Sequence, residues 1–370
     1  MPGMTGVPFH DLAAAHADLA GELEASVRRV LASGRYIRGV EVERFERDFA
    51  RYCGAAGAVG VGNGLDAIML TLLAMGIGGG DEVLVSAHTS IATWLAVTHS
   101  GARPVPIEPD PHTMLIDPAR VESAVGPRTA AIVAVHLYGM PADMDALATI
   151  ADRHQLALLE DASQAHGARL RNRPVGSLSD AAAFSLYPTK NLGAIGDAGV
   201  VVSGDAELLG RVRMLANYGE RERHRSELRG RNSRLDELQA ALLSVKLEQL
   251  DDGNAHRRRR ADQYLGELSG CPGLQLPGVV EDALPVWHQF VVRVQGRDRV
   301  REELARRGVE TLVHYPIAPH RAPAYASDYP EALPITEELA ATVLSLPISP
   351  RLGEDSCAEV CRALVAAVAT

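Results

Sequence analysis

Residues 11 to 32, DLAAAHADLAGELEASVRRVLA, repeat apolar positions at helical spacing and stop at Ser33-Gly34; Val42 to Tyr52 predicts a second amphipathic helix. From Ala58 the period changes. AVGV is followed by GNGLDAIMLTLLAMG, and EVLVS by HTSIATWLAVTHSG; then come PVPIE, TAAIVAV, the helical ADMDALATIADRH, and LALLED. Short apolar strands alternating with helices of about 10 to 15 residues predict a largely parallel sheet covered by helices on both faces. Ligands of such sheets gather at the carboxyl ends of the strands. Residues 233–249 and 254–269 predict two long helices. Beyond about 270 the order becomes strand (VWHQFVVRV), helix (Asp298 to Arg307) and strand, a small α+β unit. The chain therefore divides into a large domain, 1–250, with the N-terminal helices, and a small C-terminal α+β domain, 251–370.

Composition narrows the function classes. The 370 residues are 46% apolar and carry a net charge of −10 with a pI near 5.7. That balance argues against an extended polyanion such as nucleic acid as partner. Cys53, Cys271, Cys357 and Cys361 show no C-x-x-C spacing, and Cys357 and Cys361 read as one helix face. No secretory start and no run of about 18 apolar residues is present, so a cytoplasmic protein without a membrane segment is expected. His136, His154 and His166 lack metal-ligand spacing, and no metal is expected.

Candidate chemistry sits where predicted strands end. Lys190 and Lys246 are the two lysines of the chain, and arginine supplies every other strong base. Lys190 lies in SLYPTKNLGAIG, a short, mostly uncharged loop after the strand Ala181 to Leu186. An amine held there can lose its proton and attack a carbonyl, which arginine cannot. Asp161 closes the apolar strand LALLED and is followed by Gln164 and His166; a buried carboxylate in such a place needs a cationic partner or a helix to cap. Against a protonated ring nitrogen at about 3 Å it would contribute roughly 5 kcal/mol at an effective dielectric of about 20, before desolvation. Gly62-Asn63-Gly64-Leu65 joins a strand to a helix, either as a phosphate cradle or as a plain turn. Gly60, Gly62 and Gly64 also approach a dinucleotide fingerprint, without its full spacing or its acidic partner. His88, in SAHT, is placed to lie against a planar ligand or to remain a hydrogen-bonded loop residue. A phosphate anchor, a strand-end acid and a loop lysine, in that order, make a pyridoxal phosphate pocket of the aspartate aminotransferase fold (fold type I).

The segments VEVERFERDFARYCGA, HLYGMPADMDAL, EDASQAHGAR, AFSLYPTKNLGAIGDAG, RMLANYG, NSRLDELQAALLSVKLEQLD and HYPIAPHRAPAY resemble the DegT/StrS group of sugar nucleotide aminotransferases over nearly the whole chain. The resemblance implies pyridoxal 5'-phosphate as cofactor, with Lys190 as the Schiff-base lysine, Asp161 on the pyridine nitrogen and Gln164 at the ring hydroxyl. It gives the phosphate to Ser185 and the Gly64-Leu65 backbone, and the ring stack to His88. Asn232 reaches the neighbouring subunit's phosphate, which implies a homodimer with shared sites. Leu65 stands where the family often has Ser or Thr, and Gly-Asp-Ala-Gly at 196–199 replaces Gly-Asp-Gly-Gly. A related dehydratase branch has histidine at the lysine position, so Lys190 favours amino transfer.

The amino group is then expected to pass from L-glutamate to the cofactor and on to a nucleotide-linked ketosugar, with ping-pong kinetics. Tyr187, Tyr218, Arg223, His314 and Tyr315 are the candidate substrate contacts. The six arginines between Arg221 and Arg234 form either a solvated loop or an anion-binding one. SxHTxIATWLAV and PVWHxFVVR resemble the branch acting at C-3 of dTDP-3-keto-6-deoxyhexoses. A 4-keto substrate is the nearest rival, and a nicotinamide-dependent oxidoreductase would leave Lys190 and Asp161 without a role.

Overall fold

The computed structural model describes residues 6–369. Seven strands form the central sheet: β1 (Gly57–Val61), β2 (Glu82–Ser86), β3 (Arg103–Ile107), β4 (Thr129–Val135), β5 (Ala157–Asp161), β6 (Ala181–Ser185) and β7 (Gly199–Ser203), in the order β1-β7-β6-β5-β4-β2-β3. β3, β2, β4, β5 and β6 run parallel, whereas β7 is antiparallel to both β6 and β1. The expected parallel sheet with helical cover is thus present, with one strand that the sequence pattern did not announce. GVVVS is fully buried, and it returns against β6 because the connecting loop, 186–198, has no crossover helix to carry the chain back to the other end of the sheet. That loop carries Lys190.

Successive residues of a strand face opposite sides of the sheet, and the cores follow that alternation. Ile132, Ala134, Ala182 and Phe184 join one apolar cluster with Phe45, Phe49 and Leu243. Ala131, Val133, Ala181 and Ala183 join another, with Ile68, Leu72, Trp94 and Val97. The helix Gly64–Ala74 is apolar all round because it is buried among other helices and the sheet. A third cluster unites Phe290–Val294, paired antiparallel with Val343–Leu346, the helices Arg297–Arg306 and Glu354–Ala369, and Val7 from the N-terminal segment, whose backbone bridges to Val309. Cys357 and Cys361 are both buried on the Glu354–Ala369 helix, and all four cysteines are free thiols.

The expected helix over 11–32 is broken into Leu12–Ala17 and Ala20–Ser33. Asp18 and Gly21, both weak helix formers, flank the break. The helix Val40–Tyr52 packs Phe49 edge-on against Phe184 of β6, ring centroids 5.1 Å apart. Its N-terminus is capped from outside. The buried carboxylate of Glu237 accepts the backbone N–H groups of Gly39 (2.6 Å), Glu41 (3.0 Å) and Val42 (3.0 Å). These are the donors that a helix start leaves without partners, next to the positive end of its dipole. Glu237 opens the helix Glu237–Leu247, which the expected helix over 233–249 covers. Glu237→Gln is expected to cost about 1–3 kcal/mol, because a neutral amide replaces a charged, three-fold acceptor in a buried place. Urea unfolding checks this; a midpoint within error of wild type would show that the cap is not stabilising.

Candidate active site

Asp161 ends β5, and β5 lies in the middle of the sheet, so its side chain reaches the carboxyl edge at the centre of the molecule. It is buried, and its geometry is held by Thr93, whose hydroxyl donates to Oδ2 at 2.8 Å, and by the backbone N–H of Ser163 to Oδ1 at 3.2 Å. Thr93 itself hydrogen-bonds Thr89, 3.1 Å away. The residue before Asp161 does a different job. Glu160 points to the other face and accepts from Gly176 (2.9 Å), Leu178 (3.0 Å) and Ser179 (3.1 Å), and it pairs with His136 at 3.0 Å, fixing the excursion between β5 and β6. Of the other two histidines once weighed as ligands, His154 pairs with Glu122 at 2.8 Å, and His166 is buried beside Phe184. No group of three or more potential metal ligands occurs among the described residues.

Lys190 stands in the β6–β7 loop, half-buried, with its backbone N–H turned back to Tyr187 O at 2.8 Å. The loop is closed by Ala194 N to Leu186 O (2.7 Å), and Gly193 lies so close to the Pro188 carbonyl that a Cβ would sit 2.4 Å from it. Burial lowers the Lys190 pKa to about 8, and the field of the Asp161 carboxylate offsets part of that fall. The amine therefore gives up its proton far more readily near physiological pH than an ordinary lysine, while an acid stands within electrostatic reach.

Gly64 and Ser185 meet at the sheet edge: a Cβ on Gly64 would lie 2.5 Å from the Ser185 Cβ. Asn63 caps the helix Gly64–Ala74 by accepting from Asp66 N at 2.8 Å, which leaves the N–H groups of Gly64 and Leu65 with no hydrogen bond among the described residues. Free N–H groups at a helix start beside a serine form an anion cradle. Ser233 flanks it, accepting from Gly62 N at 3.0 Å, and the neighbouring Asn232 is exposed and bridges to Asn217.

Gln164 accepts from Tyr138 N at 2.5 Å, so its amide nitrogen is the free donor, and it reaches the Tyr315 hydroxyl at 3.0 Å. The Tyr138 hydroxyl donates to the carbonyl of His314, which can only accept; the His88 Nε2, 2.8 Å from the same oxygen, must then carry the proton. His88 is buried and neutral, its pKa lowered to about 4 by burial and, less, by the charge of Arg293. His314 is likewise lowered to about 4 by burial, then by Lys190 and His10, and its Nδ1 pairs with Ser345 at 2.8 Å. Lys190, Asp161, Gln164, His314 and Tyr315 are thus brought together. Tyr187 stands 51% exposed on the same loop as Lys190. Tyr218 and Arg223 lie elsewhere: Tyr218 stacks under Arg234 at 5.3 Å, and Arg223 sits in the exposed turn between the short strands Glu220–Glu222 and Arg225–Ser226. Arg223, Arg234 and Arg213 line a cleft of about 1380 Å³ bordered by the β1 backbone and the helix Val40–Tyr52, a different face from the one that holds Lys190.

A strand-end acid, a desolvated loop lysine and an anion cradle at one edge of a seven-stranded sheet with one antiparallel member define a fold type I pyridoxal phosphate enzyme. Residues 17–365 match the DegT/DnrJ/EryC1/StrS aminotransferase family, and the chain belongs to it. It is 54% identical over 348 residues to a dTDP-3-amino-3,4,6-trideoxy-alpha-D-glucose transaminase of Streptomyces venezuelae, covering 94% of this chain and 92% of that protein. It is 47% identical over 358 residues to a dTDP-3-amino-3,6-dideoxy-alpha-D-galactopyranose transaminase of Aneurinibacillus thermoaerophilus, covering 97% and 98%. The crystal structure of S. venezuelae DesV in complex with a ketimine intermediate superposes with a TM-score of 0.97 at 52% identity, covering 98% of each chain.

The residues present fit pyridoxal phosphate. Asp161 offers an acceptor for the ring N–H, the Gly64 and Leu65 N–H groups with Ser185 offer donors for the phosphate, and Lys190 offers the amine. Sequence reading missed Thr93, Asn191 and His288, whose only signal was proximity to the motifs in the quoted stretches. Only a neutral amine attacks the cofactor's aldehyde, so Schiff-base formation by cofactor-free protein is expected to accelerate as pH rises through about 8. A solvated lysine would still be gaining at about pH 10. Stopped-flow absorbance after mixing with pyridoxal phosphate measures the midpoint, and one near 10 would mean that the amine is not desolvated.

Proposed function

We propose that this chain transfers the amino group of L-glutamate to C-3 of a dTDP-linked 3-keto-6-deoxyhexose, in the making of an amino deoxysugar of the kind found in antibiotics. The observation that carries the reading is the pairing of Lys190 with Asp161: a lysine whose pKa is lowered to about 8, within reach of a carboxylate held by Thr93. A regulatory protein of the same fold would have no use for either. The names of both relatives reported above place the amino group at position 3 of a dTDP-linked sugar, which supports the C-3 assignment over a 4-keto substrate.

Bound pyridoxal phosphate supplies an electrophilic ring that accepts the electron pair left when the donor loses its α-proton. The remaining work falls to this chain. Asp161 keeps the ring nitrogen protonated. Gln164 directs an amide N–H toward the ring oxygen, Ser185 and the Gly64-Leu65 backbone bind the phosphate, and His88 lies against the ring. Lys190 would hold the cofactor through its amine, and that amine, when free and neutral, would take up and return the proton of the donor α-carbon. Tyr187, His314 and Tyr315 line the sugar side, and Tyr218 and Arg223 contact the substrate of a neighbouring site. Asn232, exposed beside the cleft, reaches the cofactor phosphate of a second copy, so the active form is a homodimer. With four free thiols, the enzyme works in the cytoplasm.

Purified protein with pyridoxal phosphate is expected to show a band near roughly 400–430 nm, as Schiff-base chemistry gives, and Lys190→Ala to lose both the band and turnover. Asp161→Ala is expected to lower kcat by about a hundredfold or more while the band persists, since the ring then loses its proton. Glutamate with 3-keto and 4-keto dTDP-sugars, read by product mass and NMR, tests the position; equal turnover of both would sink the C-3 assignment.

A further inference from the structure

The residue after the lysine is tied into a chain of hydrogen bonds whose proton positions are all determined. It begins at the backbone carbonyl of His166, in the turn that follows Asp161, which can only accept. Asn254, buried on the helix Leu250–Glu267, donates its amide N–H to that carbonyl at 2.8 Å, so its oxygen is the acceptor on the other side. Asn191 donates to this oxygen at 2.8 Å and to the carbonyl of Val286 at 3.1 Å. Both of its N–H groups are then committed, and its oxygen can only accept from Nδ1 of His288, 3.1 Å away. His288 therefore carries its proton on Nδ1. It is buried, and burial first, then the charges of Lys190, Arg257, His314 and His10, hold it well below the usual imidazole range, so the ring is neutral.

We propose that His288, acting through Asn191, is a positioning residue for Lys190: its Nδ1–H locks the Asn191 amide and so sets the lysine's place and degree of burial beside the Asp161 turn. The His166–Asn254–Asn191–His288 chain joins four segments far apart in sequence: the turn after the acid, the helix Leu250–Glu267, the lysine loop, and the approach to the C-terminal strand Phe290–Val294. Two grips from the helix Glu237–Leu247 hold the other side of the loop. Lys246 donates to the Gly193 carbonyl, and Gln239 brackets Ile195 through its N–H (2.9 Å) and its carbonyl (2.7 Å). Those contacts fix the loop's course, whereas Asn191 alone adjoins the lysine. The titratable groups whose fields reach Lys190 are Asp161, His166, His288 and His314.

The proposal rests on Lys190 being the reactive amine, but its test does not use turnover. The full chain, freed of cofactor, is acylated with acetic anhydride between about pH 6 and 11, and the two lysines are followed separately by peptide mass spectrometry. The wild-type Lys190 midpoint is expected near 8. His288→Leu is expected to raise it by about one unit or more toward the ordinary lysine value, with the Lys246 midpoint unchanged. His288→Asn, whose amide reproduces the Nδ1–H donor, is expected to restore it. Asn191→Leu, which keeps the size but loses both donors without adding a charge, is expected to raise it as well, and serves if His288→Leu does not fold. An unchanged Lys190 midpoint in these variants, no rescue by His288→Asn, or an equal shift at Lys246 would each overturn the proposal. Loss of the Schiff-base band in Lys190→Ala tests the functional reading separately.

Discussion

The structure turns on a conflict at one amine. Lys190 must be dry enough to shed its proton, and it must also stay close to a carboxylate whose field favours keeping it. Burial wins by a modest margin, so the pKa falls to about 8 rather than further. The margin depends on distance and exposure. A loop free to swing would hydrate the ammonium and return it to its ordinary value, so the loop's backbone has to be fixed as firmly as any core strand.

The fold meets that demand with one short connection and several distant anchors. Because β7 returns antiparallel to β6, the lysine loop is the tight link of a hairpin, closed at Leu186 and Ala194. The helix Glu237–Leu247 then serves two ends at once: Glu237 caps the helix Val40–Tyr52, while Gln239 and Lys246 hold the lysine loop. The N-terminal helices, the loop and the central sheet are coupled through one element. The segment before the strand Phe290–Val294 takes part through Val286 and His288, both hydrogen-bonded to Asn191.

Charge follows the same division of labour. Around Lys190 the imidazoles of His88, His288 and His314 are neutral because they are buried, so they add no positive charge beside the amine. Three further arginines, Arg213, Arg223 and Arg234, line the cleft beside β1, where Arg213 is paired with Glu46 at 2.8 Å.

Much of this was legible in the residues alone. The alternation of apolar strands and helices determined the parallel sheet, because both the periods and the burial of strands on two faces are local properties. Asp161, Lys190 and Gly64 were singled out for the same reason, each at or just beyond a predicted strand end, whereas the parts given to Gln164 and Ser185 rested on the resemblance of whole motifs. Three things only the tertiary structure decided. The strand GVVVS reads as a plain apolar run, and its direction depends on whether the loop after β6 re-enters the sheet at the same edge or crosses to the other. Thr93, Asn254 and His288 have ordinary neighbours in sequence, and they matter through partners 68, 63 and 97 positions away. Tyr218 and Arg223, candidate substrate contacts from the sequence, stand apart from Lys190 within one subunit, so which site they face depends on how copies of the chain pack. Periodicity and motif report what a residue does for its own segment, while a hydrogen bond between segments exists only once the chain has closed.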